Sequence, residues 1–173
     1  MEFAIQVSSP SSVGTIENAE SIAEALESIF PLSTEFALLI WNNVYVPLNY
    51  KYDVSYIFED VILLIEAVCA SPTGRTSIHW PSSSFRAKWD VSWTENEVVV
   101  ESEWECVIGG TELLLNKNPR ISVTKETFLG EWTELIVACL RHIRSRDTSR
   151  SLDLTRYERI VRLVSKRGYL YQI

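Results

Sequence analysis

Between residues 85 and 107 the chain reads FRAKWDVSWTENEVVVESEWECV, with large apolar side chains at alternate places and charges between them. Side chains on a strand point alternately to opposite faces, so this pattern fits two half-buried strands and fits no helix. A turn centred on Glu95-Asn96 sets Trp93 against Val98, Val91 against Val100, Trp89 against Ser102, Ala87 against Trp104 and Phe85 against Cys106. One face of the hairpin is then almost wholly apolar. On the other face Lys88 meets Glu103 and Arg86 meets Glu105, opposite charges across the ladder. A slip of one residue would put Val91 against Glu101 and spoil both faces, so the register is specified. Asp90 against Glu101 is the one like-charged pair, and its relief requires a cation from elsewhere in the fold or from another molecule.

The remaining elements follow from the same reasoning. Residues 2–7 alternate Phe3, Ile5 and Val7 as a strand. Residues 15–31 form a helix with Ala19, Ile22, Leu26, Ile29 and Phe30 on one side and Glu17, Glu20, Glu24 and Glu27 on the other. Asn42-Asn43 turns a second hairpin, because asparagine tolerates positive φ. A deeply buried helix follows, with Asp53 or Ser55 as its cap, Ile57, Val61, Leu64, Ile65 and Val68 as its stripe, and Ile62, Leu63 and Cys69 widening the apolar face. His79 falls in a loop beside Trp80 and Pro81. After the central hairpin, Gly109-Gly110 returns Leu113 to Cys106 and Leu115 to Trp104, and a short fourth strand completes a meander. Helices over 125–144 and 152–166 follow, with a last short strand in YLYQI. The expected fold is a single α+β domain over 1–173, a mostly antiparallel sheet containing a four-stranded meander with about four helices packed on it.

Composition narrows the function classes. The 173 residues carry a net charge of −7, distributed unevenly. Residues 1–70 hold ten acidic side chains against Lys51 alone, whereas residues 141–173 hold nine basic against three acidic. An acidic front and a basic tail either attract separate partners or lie against each other. The overall acidity and the lack of a recognised DNA- or RNA-binding motif argue against nucleic acid, and Arg156, Arg159 and Arg162 read as the solvated face of an amphipathic helix. The longest apolar run, VILLI, is too short for a membrane span, and MEFAIQVSSP lacks the basic and apolar regions of a signal peptide. Three scattered cysteines, Cys69, Cys106 and Cys139, fit a reduced cytoplasmic setting and core packing.

No catalytic, cofactor-binding or metal-binding set emerges. His79 and His142 lack partners at ligand spacing, and a Cys106 or Cys139 nucleophile is disfavoured because buried thiols are inert. Asp90, Glu101, Glu103 and Glu105 could serve a small hydrolase as paired carboxylates, but such pairs need a cleft that separates their pKa values. The helical acids Glu17, Glu20, Glu24 and Glu27 have no basic residue at i+3 or i+4 within their helix, so they repel one another. The helix dipole accounts for Glu17 and Glu20 better than for Glu24 and Glu27. An acidic stripe of this kind docks a basic partner by charge complementarity, with Asp90 and Glu101 as a second contact surface.

The Trp-bearing segments SIHWPSSSFRAKWDVSW, SEWECVIGG and FLGEWTELI, set in an acidic α+β chain, resemble the immunity proteins of bacterial polymorphic-toxin and contact-dependent inhibition systems. The resemblance implies a stoichiometric, non-catalytic, cytoplasmic inhibitor without cofactors. It would occlude a cognate protein toxin with a basic surface, often a nuclease. A small hydrolase and a regulatory or adaptor domain are the alternatives from other classes.

Overall fold

The alternating strands are divided between two antiparallel sheets in the structure, a computed structural model that describes residues 2–11, 14–16, 19–147 and 152–166. Strands β1 (Phe3–Gln6), β2 (Phe36–Trp41) and β3 (Val44–Asn49) form one sheet in the order β1-β2-β3. Strands β4 (Gly74–Pro81), β5 (Phe85–Trp93), β6 (Glu97–Val107) and β7 (Arg120–Thr124) form the other, a meander in sequence order. Around them lie α1 (Ile22–Ile29), α2 (Ser55–Ala70), the single-turn α3 (Glu112–Leu115), α4 (Lys125–Arg146) and α5 (Thr155–Lys166). The fold is α+β, as the alternation and helical stripes require.

The central hairpin keeps the expected register from Trp93–Val98 to Ala87–Trp104, then departs from it. Beyond Ala87 a bulge shifts the ladder, so Phe85 faces Val107 and Arg86 faces Cys106. Glu105 is the additional residue of the bulge. This change removes Cys106 from the core. It is half-exposed and its thiol donates to the Ser83 carbonyl oxygen at 3.2 Å, whereas Cys69 and Cys139 are buried as expected. Burial pushes the Cys139 thiol up to about 12.

Two further segments differ from the sequence reading. Residues 74–81, with His79, form strand β4 rather than a loop. Thr76, Ile78 and Trp80 occupy one face, and Trp80 is fully buried. The run TELLL forms α3 rather than a strand, so only Leu115 enters the core while Leu113 is 80% exposed. The place expected for its pairing is taken by one side chain. The Asn116 amide accepts from the Trp104 N–H at 2.9 Å and donates to the Trp104 carbonyl at 2.8 Å, serving β6 as an adjacent strand would.

Helix α1 is shorter than its apolar stripe indicated. Ser21 caps it by accepting from the Glu24 N–H at 3.2 Å, so Glu20 precedes the helix. Helix α2 is entered through a π-helical turn, Tyr50–Val54, whose cap is Asn49 rather than Asp53 or Ser55. The Asn49 side chain accepts from the Lys51 and Tyr52 N–H groups. Asp53 instead reaches back to accept from the Asn49 N–H at 2.7 Å. It also accepts from the Ser82 hydroxyl, and from the Ser84 hydroxyl at 2.6 Å. A fully buried carboxylate thus joins the exit of β3 to the turn between β4 and β5. Leu63, placed on the apolar face of α2 by its spacing, is 54% exposed.

An aromatic joint holds the two sheets together at another point. Trp41, the last residue of β2, packs at a tilt 5.2 Å from Trp89 and edge-to-face 5.1 Å from Trp104. Its indole N–H donates to the Asn118 carbonyl at 3.0 Å. Trp80 and Trp132 extend the cluster, the latter carried by α4, and Phe3 stacks on Phe128 of the same helix at 5.3 Å. Indole rings fill the interior, as the hairpin pattern required. The Asn42-Asn43 turn has the expected positive φ at both residues. The terminal YLYQI lies outside the described residues.

Candidate partner-binding site

The proposed helical acids occupy different environments. Glu17 lies outside the described residues. Glu20 is exposed ahead of α1, and its N–H donates to the Glu24 carboxylate at 2.8 Å. Glu24 therefore reaches back over the start of α1 in a variant of the capping box, one residue ahead of the Ser21 cap, a local reason for an acid at this position. Glu27 is half-exposed further along α1. Among the described residues no ion pair neutralises Glu20, Glu24 or Glu27.

The surface beside Glu27 contains features that the acidic pattern did not indicate. Leu32, just past α1, is 68% exposed, and Tyr52 on the π-helical turn is also exposed. Lys51 donates to the Pro31 carbonyl at 3.0 Å and lies over the Tyr52 ring. Hydrogen bonds with Ser33 and Lys51 hold the Tyr52 phenol below its ordinary pKa, while the nearby Glu27 charge opposes the shift. The patch combines carboxylates that form no ion pair among the described residues with an exposed tyrosine and leucine. Sequence could have revealed the tyrosine only if the turn's position against α1 were known.

Asp90 and Glu101 lie on the outward face of the four-stranded sheet, whereas α1 packs against α2, α4 and the π-helical turn. The two acidic sets form separate surfaces. The cation required by the Asp90–Glu101 pair comes from the chain itself. Ser77 donates to Asp90, which this bond holds below the usual carboxylate range, with Lys88 and Arg75 assisting. Arg120 stands directly across from Glu101 on β7. Glu105 takes Arg86 at 3.0 Å and His79 at 2.9 Å. This face is a zipper of matched charges on an open sheet.

Two carboxyl groups away from that strand face are pushed upward, Glu131 by burial beneath β1 and Asp60 by burial and the adjacent Glu59. Among the described residues no three His, Cys, Asp or Glu side chains gather as metal ligands, and no helix is long and apolar enough to cross a membrane.

Part of the basic tail is engaged within the chain. Arg156 on α5 reaches Glu59 at 3.1 Å and Glu66 at 2.8 Å on α2, and Tyr157 donates to Glu59. Arg144 pairs with Glu158. Arg159, Arg162 and Lys166 border a groove of ≈560 Å³ between α5 and the end of α2. Part of the acidic front and part of the basic tail therefore lie against each other.

Compared with known proteins, the chain matches no family model, no curated protein and no solved structure.

Proposed function

We propose that this protein acts by binding, as a stoichiometric inhibitor that occludes a basic protein toxin in the manner of an immunity protein. The observation that supports this reading is the difference between two sets of carboxylates. On the four-stranded sheet Asp90 and Glu105 pair with Lys88, Arg86 and His79, and Glu101 and Glu103 stand across the ladder from Arg120 and Lys88, whereas no ion pair among the described residues involves Glu20, Glu24 or Glu27. Unneutralised like charges cost stability unless something offsets them, and a basic partner does so while complementary charge speeds the encounter. Tyr52 and Leu32 supply the apolar contact beside them, tyrosine being a side chain that recurs at interface centres.

The reading is tested with the product of the adjacent upstream reading frame. That protein should be toxic when expressed alone and should form a one-to-one complex with this chain by titration calorimetry, with affinity falling as salt rises. Charge reversal at Glu24 and Glu27 together should weaken the complex at least ~30-fold, a loss of about 2 kcal/mol. Normal binding by the charge-reversed protein would remove α1 from the interface. A biosynthetic enzyme encoded upstream would count against inhibition altogether.

A further inference from the structure

The outward face of the three-stranded sheet carries an inference independent of the toxin reading. Strand β2 is FALLIW, apolar at every position, a pattern typical of strands covered on both faces. Ala37, Leu39 and Trp41 point inward and are fully buried. Phe36, Leu38 and Ile40 point outward, are only half-buried and are not packed against the core. The ladders place Ala4 and Tyr45 beside Ile40, and Gln6 and Pro47 beside Leu38. None of these side chains is charged.

We infer that this face is the contact surface of a homodimer, two copies packed sheet to sheet about a two-fold axis. A two-fold axis sets each central side chain against its own copy, so a charged face repels itself and a neutral apolar one is self-complementary. In a chain of net charge −7 this face can bring two copies together without opposing like charges. It offers nothing to a partner selected by charge.

The sheet's edges favour this geometry over strand addition. On β1 the outward Ile5 N–H is taken by the Glu131 carboxylate at 2.6 Å. On β3, Pro47 has no N–H and the Asn49 N–H is taken by Asp53. Blocked edges prevent lateral growth, so association proceeds face to face and stops at two. Two strands of six residues and one of four present at most roughly 14 by 20 Å, the apolar centre of an interface rather than a whole one, so the dimer should be concentration-dependent.

The test is sedimentation equilibrium of the intact chain from about 1 to about 200 μM, a range that brackets micromolar dissociation. Dimer should accumulate across it. Leu38→Lys and Ile40→Lys should each raise the dissociation constant more than ~tenfold, because each places two ammonium groups across the axis. Far-UV circular dichroism should remain unchanged, since neither side chain is in the core. Tyr45→Lys, at a residue 58% exposed, provides a variant whose folding is not at risk. Ser92→Lys, on the outward face of the other sheet, should leave the dimer intact. A monomer at every concentration overturns the inference. So does a dimer indifferent to all three face variants, or one equally sensitive to Ser92→Lys.

Discussion

The two sheets present opposite exteriors. On β5 and β6 most outward positions are charged, Arg86, Lys88, Asp90, Glu101, Glu103 and Glu105 beside the uncharged pair Ser92 and Val99, and these charges stand beside opposite charges on the same or a neighbouring strand. On β2 they are Phe36, Leu38 and Ile40, with no charge among them. Inward, both sheets contribute to one aromatic cluster. The difference teaches that burial of one face fixes a strand's register, while the character of its other face records what that face meets. A balanced charged face is complete in water, and an uncharged apolar one is not.

The comparison assumes that the sheets fold as one unit, and the strongest way to break it is at their aromatic joint. Trp41→Ala should destabilise the protein by about 3–5 kcal/mol, as large-to-small changes at fully buried tryptophans do. Urea unfolding followed by circular dichroism and by fluorescence should remain a single coincident transition. Two separated transitions would show that the sheets are independent. A smaller loss is expected at the polar joint. Asp53→Ala leaves the Asn49 N–H and the Ser82 and Ser84 hydroxyls without their acceptor, costing about 2–4 kcal/mol. Asp53→Asn, which retains an acceptor oxygen, should recover part of that loss in the same unfolding measurement.

The smallest effect separates the two exteriors by pH. Asp90 has a depressed pKa in the folded protein, so its stabilisation is present above the ordinary carboxylate value and is lost as pH falls through the folded one. Thermal melts of Asp90→Asn should therefore differ from the parent at pH 7 and converge towards it near pH 3, the approximate region of carboxylate protonation. Leu38→Gln on the other sheet should give a difference that does not change between these conditions. A pH-dependent Leu38→Gln difference would mean that a titrating group lies against the neutral face.

How much was legible in the sequence follows from where alternation is unambiguous. From Ala87 to Trp93 apolar and polar residues alternate strictly, and the register follows. At Cys106-Val107 two apolar residues adjoin, so period two cannot decide which one faces inward, and the bulge was missed. Strand β4 did alternate Thr76, Ile78 and Trp80 against Arg75, Ser77 and His79, but glycine and proline at its ends made it read as a loop. Three successive leucines at 113–115 fit a strand or a helical turn equally, and the choice depended on Asn116, a long-range partner.

The candidate site was less legible. Ser21 and Glu24 stand at capping-box spacing, a local signal for both the helix start and one of its glutamates. By contrast, the relief of the Asp90–Glu101 repulsion depends on the Ser77 hydrogen bond and on Arg120 across from Glu101, which arrive on strands whose positions only the fold determines.

The grip of Arg156 on Glu59 and Glu66 has a consequence for how the chain assembles during synthesis. Helix α2 leaves the ribosome about ninety residues before α5, a delay of roughly 5–20 s at ordinary elongation rates. During that interval its two glutamates lack the guanidinium that later bridges them. The nascent chain is then more negative along this flank than the finished protein, and arrival of α5 closes it.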